Sequence, residues 1–202
     1  QQAYRLCRET GTPTLCDEIQ SCAWYDGYYL FRKYGIRPDF VSVGKGFPGG
    51  NYAASRMIFS GAFDNLSQFG ALVTNGQEEL ASLAYLITME FLAENGAEIE
   101  RVGKLYHAYM VELAAKHSKR IIEAEGDAHM SALSFVSVPD AVEFCKRMQL
   151  VYGVDISAQT YKPNCPPVAL TKLPIITTET IALALVNKMD RCLLSMEEET
   201  NA

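Results

Sequence analysis

Two runs bound the segment that decides how this chain folds: Thr12-Pro13-Thr14-Leu15-Cys16-Asp17-Glu18-Ile19-Gln20 at its start, and Asp39-Phe40-Val41-Ser42-Val43-Gly44-Lys45-Gly46-Phe47-Pro48-Gly49-Gly50 at its end. Each reads as a short apolar strand that finishes in an ionisable group. Residues 13–17 end on Asp17, and residues 40–43 lead into Lys45 between two glycines. In a parallel α/β sheet, ligands sit beyond the carboxyl ends of the strands. A carboxylate and an amine delivered there by two strands therefore read as candidate site residues.

Outward from this segment the pattern continues. Tyr4 to Glu9 reads as the tail of a helix, stopped by Gly11. Tyr28 to Tyr34 reads as a short helix ended by Gly35, with Pro38 beyond. Tyr52 to Phe59 reads as a third strand, parallel to the other two. The spacing of Leu80, Leu83, Ala84, Ile87 and Phe91 predicts a helix from Glu78 to Glu94, closed by Asn95-Gly96. A second helix is expected over Ile99 to His117. Strands follow at Ile121–Ala124 and Ala132–Val138, a helix at Asp140–Tyr152 behind Pro139, and short strands at Val154–Ile156 and Val168–Leu170. A closing helix spans Thr178 to Met196, with Glu197 to Ala202 as a frayed polar tail. The expected architecture is α/β: residues 1–95 form a mostly parallel sheet with helices, and residues 96–202 a small α+β domain. Three parallel strands leave sheet edges and faces bare, so the first region reads as the later part of a larger domain.

Composition narrows the function classes. The chain has 202 residues, 49% hydrophobic and 21% charged, with a net charge of −6. It carries no Lys/Arg-rich run of the kind that nucleic-acid surfaces use, and no apolar run long enough to span a bilayer. The polar start Gln1-Gln2-Ala3-Tyr4-Arg5 is not a signal peptide. Six scattered cysteines without a Cys-x-x-Cys pair suggest reduced thiols in a cytoplasmic protein. His107, His117 and His129 lack metal-ligand spacing, and no metal is expected.

The chemistry rests on Lys45 and Asp17. A P-loop needs a glycine five residues before Gly44 and Ser or Thr after the lysine; the chain has Asp39 and Gly46 at those places. A loop lysine and a turn aspartate would be the ordinary reading of either residue alone. Their combination at two strand ends, with glycines clearing space around the amine, points instead to a nucleophile toward carbonyls. An aspartate opposite such a lysine suits a cationic ring nitrogen, the pairing that pyridoxal phosphate requires.

Asp17-Glu18-Ile19-Gln20 together with Tyr34-Gly35-Ile36-Arg37-Pro38-Asp39-Phe40-Val41-Ser42-Val43-Gly44-Lys45-Gly46 closely resembles the signature of class III (omega-type) aminotransferases. These are pyridoxal-phosphate enzymes of fold type I. The resemblance extends through the helix after Thr74 to Leu173-Pro174-Ile175-Ile176-Thr177-Thr178-Glu179, so the chain reads as the C-terminal portion of such an enzyme. It implies that Lys45 forms the Schiff base with the cofactor and later shuttles a proton. It implies that Asp17 keeps the ring nitrogen protonated, that Ile19 packs on a ring face, and that Gln20 approaches the ring hydroxyl. Thr74 matches the threonine that reaches the cofactor phosphate of the partner subunit, which implies a homodimer. The substrates implied are a small-molecule amino donor and a keto-acid acceptor. The chain departs from the family at Ser21-Cys22-Ala23-Trp24-Tyr25, where a glycine-rich, arginine-containing loop is usual, and at 168–172, which offers Lys172 but no arginine. The phosphate loop lies upstream of the segments present, so the isolated 202 residues are expected to be inactive. A mutase, decarboxylase or lyase would use the same lysine and aspartate, and a non-catalytic dimerisation remnant is the alternative from another class.

Overall fold

The computed structural model describes residues 1–50, 52–67, 69–70, 78–161 and 164–200, with the backbone alone at residue 200. The chain divides into two compact units, Gln1–Ala97 and Glu98–Ala202.

In the first unit, helix α1 (Gln2–Glu9) stops where the Thr10 hydroxyl donates to the Leu6 carbonyl at 2.9 Å and Gly11 turns left-handed at φ 66. Strand β1 (Leu15–Asp17) pairs in parallel with β2 (Phe40–Val43), in the register Leu15↔Phe40, Cys16↔Val41, Asp17↔Ser42. The entry to that pair is pinned by Asp39, whose Oδ2 accepts the Thr14 backbone N–H at 2.8 Å and the Thr14 hydroxyl at 3.0 Å. These Thr14 bonds, with Arg8 at 3.5 Å, hold the Asp39 carboxyl below the usual carboxylate range.

Between β1 and β2 lies the short helix α2 (Leu30–Lys33). Its first amides are capped from outside the helix. The buried Glu18 carboxylate accepts the Leu30 N–H at 3.2 Å, the Phe31 N–H at 2.8 Å and the Ser21 hydroxyl at 2.6 Å. A carboxylate with little exposure therefore has its lone pairs filled, as a buried charge requires.

Strand β3 (Arg56–Phe59) runs antiparallel to β2, where the sequence reading makes all three strands parallel, and it is shorter than the expected 52–59. The reason is local. A parallel return needs a crossover of about a dozen residues or more, usually a helix. Residues 44–50 form consecutive turns instead, with Phe47 N–H donating to the Gly44 carbonyl at 3.0 Å and Gly49 N–H to the Gly46 carbonyl at 3.1 Å.

Helix α3 (Glu79–Lys116) is continuous for 38 residues, and the expected break at Asn95-Gly96 does not occur. Asn95 turns its side-chain amide onto the Phe91 carbonyl at 2.9 Å, and Gly96 serves a close approach: a Cβ there would lie 3.1 Å from Asp26 Oδ1. The buried face of its first half is Ala81, Tyr85, Thr88 and Leu92, whereas Leu80, Leu83 and Ile87 of the predicted core stripe are exposed.

The second unit is an antiparallel sheet in the order β4-β5-β7-β6, from β4 (Ile121–Asp127), β5 (Met130–Phe135), β6 (Ser157–Gln159) and β7 (Val168–Lys172). Helices α4 (Val138–Leu150) and α5 (Glu179–Thr200) pack with it around a core that includes Tyr106, Met110, Phe135, Phe144, Met189 and Leu193. α4 starts ahead of Pro139, earlier than expected, because Ser137 Oγ caps it by accepting the Asp140 N–H at 3.2 Å. Proline is tolerated there, since the first-turn amides lack intrahelical partners anyway. β6 falls after the expected 154–156. The Val154 amide is already taken by the Met148 carbonyl at 2.8 Å, which closes α4. The expected frayed tail is helical as far as residue 200. Glu197 lies 2.9 Å from His117 Nδ1, and Glu199 accepts from Arg147 Nη2 at 2.6 Å.

Two close packings hold this unit. His129, fully buried, donates Nε2–H to the Ile99 carbonyl at 2.8 Å, and a Cβ on Gly103 would come within 2.6 Å of its ring. Tyr106 donates its hydroxyl to Thr171 Oγ1 at 2.7 Å, and Thr171 in turn donates to the Ser131 carbonyl at 2.7 Å. Burial pushes the Tyr106 phenol up to about 12.

Candidate active site

The carboxyl ends of β1 and β2 carry the candidate residues. Asp17 closes β1, and its Oδ1 accepts both the Ile19 backbone N–H at 3.0 Å and the Ser42 hydroxyl at 3.1 Å. Both bonds fall on one oxygen. They fix the carboxylate's orientation and leave Oδ2 for another donor. Ser42 occupies the β2 position that pairs with Asp17, which is why the two side chains meet.

Three residues beyond Ser42, the backbone turns left-handed at Lys45, with φ 48. For a residue with a Cβ this conformation costs about 1–2 kcal/mol. Ala23 (φ 76) and Tyr28 (φ 73) share it, so three of the five left-handed non-glycine residues among those described fall between β1 and the turn after β2. Strain of this kind persists only where the surroundings over-determine it, and it clusters at functional sites. Here the surroundings are visible. The Gly44–Phe47 hydrogen bond closes the turn, and a Cβ on Gly44 would sit 3.3 Å from the Ser55 side chain. Cys22 is buried, and that burial, aided by Glu18, pushes its thiol up to about 11.

Of the residues singled out from sequence, Asp17, Ile19, Gln20 and Lys45 thus fall at one end of the β1–β2 pair. Asp17, Gln20 and Lys45 are exposed and Ile19 is half-buried. Thr74 lies outside the described residues. Sequence reasoning missed Ser42, although it is the one polar residue in the apolar run of β2 and sits opposite Asp17 in register. It also missed Glu18 as the cap of α2, and Cys22. Among the described residues, no group of His, Cys, Asp and Glu side chains could hold a metal ion.

An electrophilic heteroaromatic cofactor suits this donor set. An orientated carboxylate with one open oxygen can hold a ring N–H, and an accessible amine at the neighbouring strand end can attack an aldehyde. The strand order of the first unit and the α+β sheet of the second are those of the C-terminal half of a fold type I fold.

Comparisons with known proteins agree. The chain is 29% identical over 179 residues to a putrescine aminotransferase of Pectobacterium atrosepticum, across 83% of this chain and 38% of that protein. It superposes on the ornithine aminotransferase of Toxoplasma gondii with a TM-score of 0.83 at 20% identity, covering 100% of this chain and 47% of the other. The acetylornithine aminotransferase of Elizabethkingia anophelis gives 0.78 at 19% identity, over 96% of this chain and 48% of its own. No family model matches. The chain thus spans about half the length of these solved structures and less of the curated relative.

Proposed function

We propose that the protein carrying this chain is a pyridoxal-phosphate-dependent aminotransferase of class III, moving an amino group from an amine or amino acid to a keto acid. The observation that carries this reading is the Asp17–Ser42 pair with Lys45 three residues on, at the carboxyl ends of two parallel strands. The cofactor, when bound, supplies an aldehyde for amines to condense with and a ring that withdraws electrons from the amine-bearing carbon. With the cofactor bound, the Lys45 amine would be the group that holds it, and it would carry a proton to and from the substrate carbon. Asp17, through the oxygen left open, would hold the protonated ring nitrogen and so stabilise negative charge where the reaction develops it. Ile19 and Gln20 would help hold the cofactor ring from the same strand end, and Thr74 would contribute to holding the phosphate in a second copy of the full protein.

A homodimer is supported by the exposed apolar side of α3, where Leu80, Leu83, Leu86 and Ile87 lie uncovered in one chain. A cytoplasmic setting is supported by six cysteines that are all free. No helix among the described residues is long and apolar enough to cross a membrane. Because the relative of 29% identity is a putrescine aminotransferase, a diamine is the first donor to try.

The test is to load the full protein with pyridoxal phosphate, reduce with borohydride, and locate the adduct by mass. Attachment at Lys45 in the reduced sample, and loss of the visible band when an amine is added to a separate unreduced sample, are expected. An adduct elsewhere, or none, ends the proposal.

A further inference from the structure

The geometry points to Phe47 as the positioning residue of Lys45, an inference that rests on the function proposed above. Phe47 is two residues beyond the lysine and only 2% exposed. Its ring packs at a tilt against two others, with centroids 5.9 Å from Tyr29 and 5.3 Å from Tyr85. Arg56 lies over the Tyr85 ring at 5.3 Å, and Tyr29 stacks on Phe31 at 5.5 Å, so each ring that touches Phe47 has a further partner. The Phe47 backbone N–H donates to the Gly44 carbonyl at 3.0 Å, closing the turn that contains Lys45 and Gly46.

These contacts define a mechanical link. Lys45 leaves its left-handed conformation only if the Gly44–Phe47 turn opens, and opening that turn draws the Phe47 ring from its aromatic slot. Burying an aromatic ring is among the larger single contributions a side chain makes. In this role Phe47 acts through the turn. It sets the direction in which the Lys45 side chain leaves the strand end, and small displacements of a reacting group cost rate steeply.

The experiment compares wild type, Phe47→Ala, Phe47→Leu and Tyr85→Phe in the full protein. The readout is the rate at which added pyridoxal phosphate becomes borohydride-trapped on Lys45, relative to the summed labelling of the other lysines. Phe47→Ala is expected to slow Lys45 selectively by about tenfold or more, Phe47→Leu by about threefold, and Tyr85→Phe not at all, since it keeps the ring. Wild-type labelling of Lys45 in Phe47→Ala, or slowing shared equally by every lysine, overturns the inference. If Phe47→Ala does not fold, Phe47→Leu decides alone: slowed labelling supports the link and wild-type labelling overturns it. If wild type itself shows no adduct on Lys45, the functional proposal falls. Amide exchange at residues 45–47 then decides the anchor: faster exchange in the Phe47 variants supports it, and unchanged exchange overturns it.

Discussion

Ser42 donates its hydroxyl to Asp17 Oδ1 at 3.1 Å across a parallel strand pair, between residues 25 apart in sequence. The bond aims the carboxylate without occupying its second oxygen. Asp17→Asn in the loaded full protein is expected to lower kcat/KM by about a hundredfold or more, the scale of losing one transition-state electrostatic group. Ser42→Ala removes a hydrogen bond to a charged group, about 1.5–3 kcal/mol or roughly tenfold or more in rate. Steady-state rates with one amine donor check both. A Ser42→Ala enzyme at the wild-type rate would show that the orientation of Asp17 is irrelevant.

Glu18 precedes α2 by a dozen residues yet caps it, accepting from Leu30 and Phe31. Truncation to alanine strands two amides and the Ser21 hydroxyl in a half-dry setting. Stability is expected to drop by about 2–3 kcal/mol, with Glu18→Gln milder because its carbonyl still accepts. Urea unfolding followed by circular dichroism measures this. Equal midpoints for Glu18→Ala and wild type would rule out the capping role.

How much of the fold and site is legible in the sequence depends on what each signal encodes. Asp17 and Lys45 stand out in the sequence as the charges that end apolar runs, a position that makes each a candidate for ligand binding. The continuity of α3 does not, since Asn95-Gly96 reads as a stop. Only the approach of Asp26 to Gly96 accounts for the glycine. Likewise Leu80, Leu83 and Ile87 announce an apolar face, but periodicity alone does not say whether this chain or a partner covers it. The direction of β3 depends on the 44–50 turns, whose glycines signal a bend without giving its sense. In Ser42 the signal is present: a single hydroxyl on an otherwise apolar strand needs a partner.

Gly103 faces the His129 ring with no room for a methyl group. Gly103→Ala is expected to lose about 1–3 kcal/mol, the usual range for overpacking, despite alanine's better helix propensity. Gly61→Ala provides the control, because nothing lies within 4 Å of its would-be Cβ. Thermal denaturation of the two variants side by side distinguishes them. Equal melting temperatures would contradict the packing.

Burial lowers the His129 pKa below its ordinary 6.5, with the Ile99 hydrogen bond opposing. As pH falls through 6.5 the unfolded chain takes up this proton before the folded one does. The contribution is therefore whole above that pH and shrinks as acidity rises. Urea midpoints at successive pH values should decline more steeply for wild type than for His129→Gln, whose amide can keep the Ile99 bond. Parallel curves would exclude the linkage.

The left-handed backbone at Lys45 sets durability against reactivity. Glycine at that position would relieve the twist and hold the turn more comfortably, yet would leave the strand end without an amine. On the proposed function, a lysine held in that posture keeps backbone tension in exchange for chemistry.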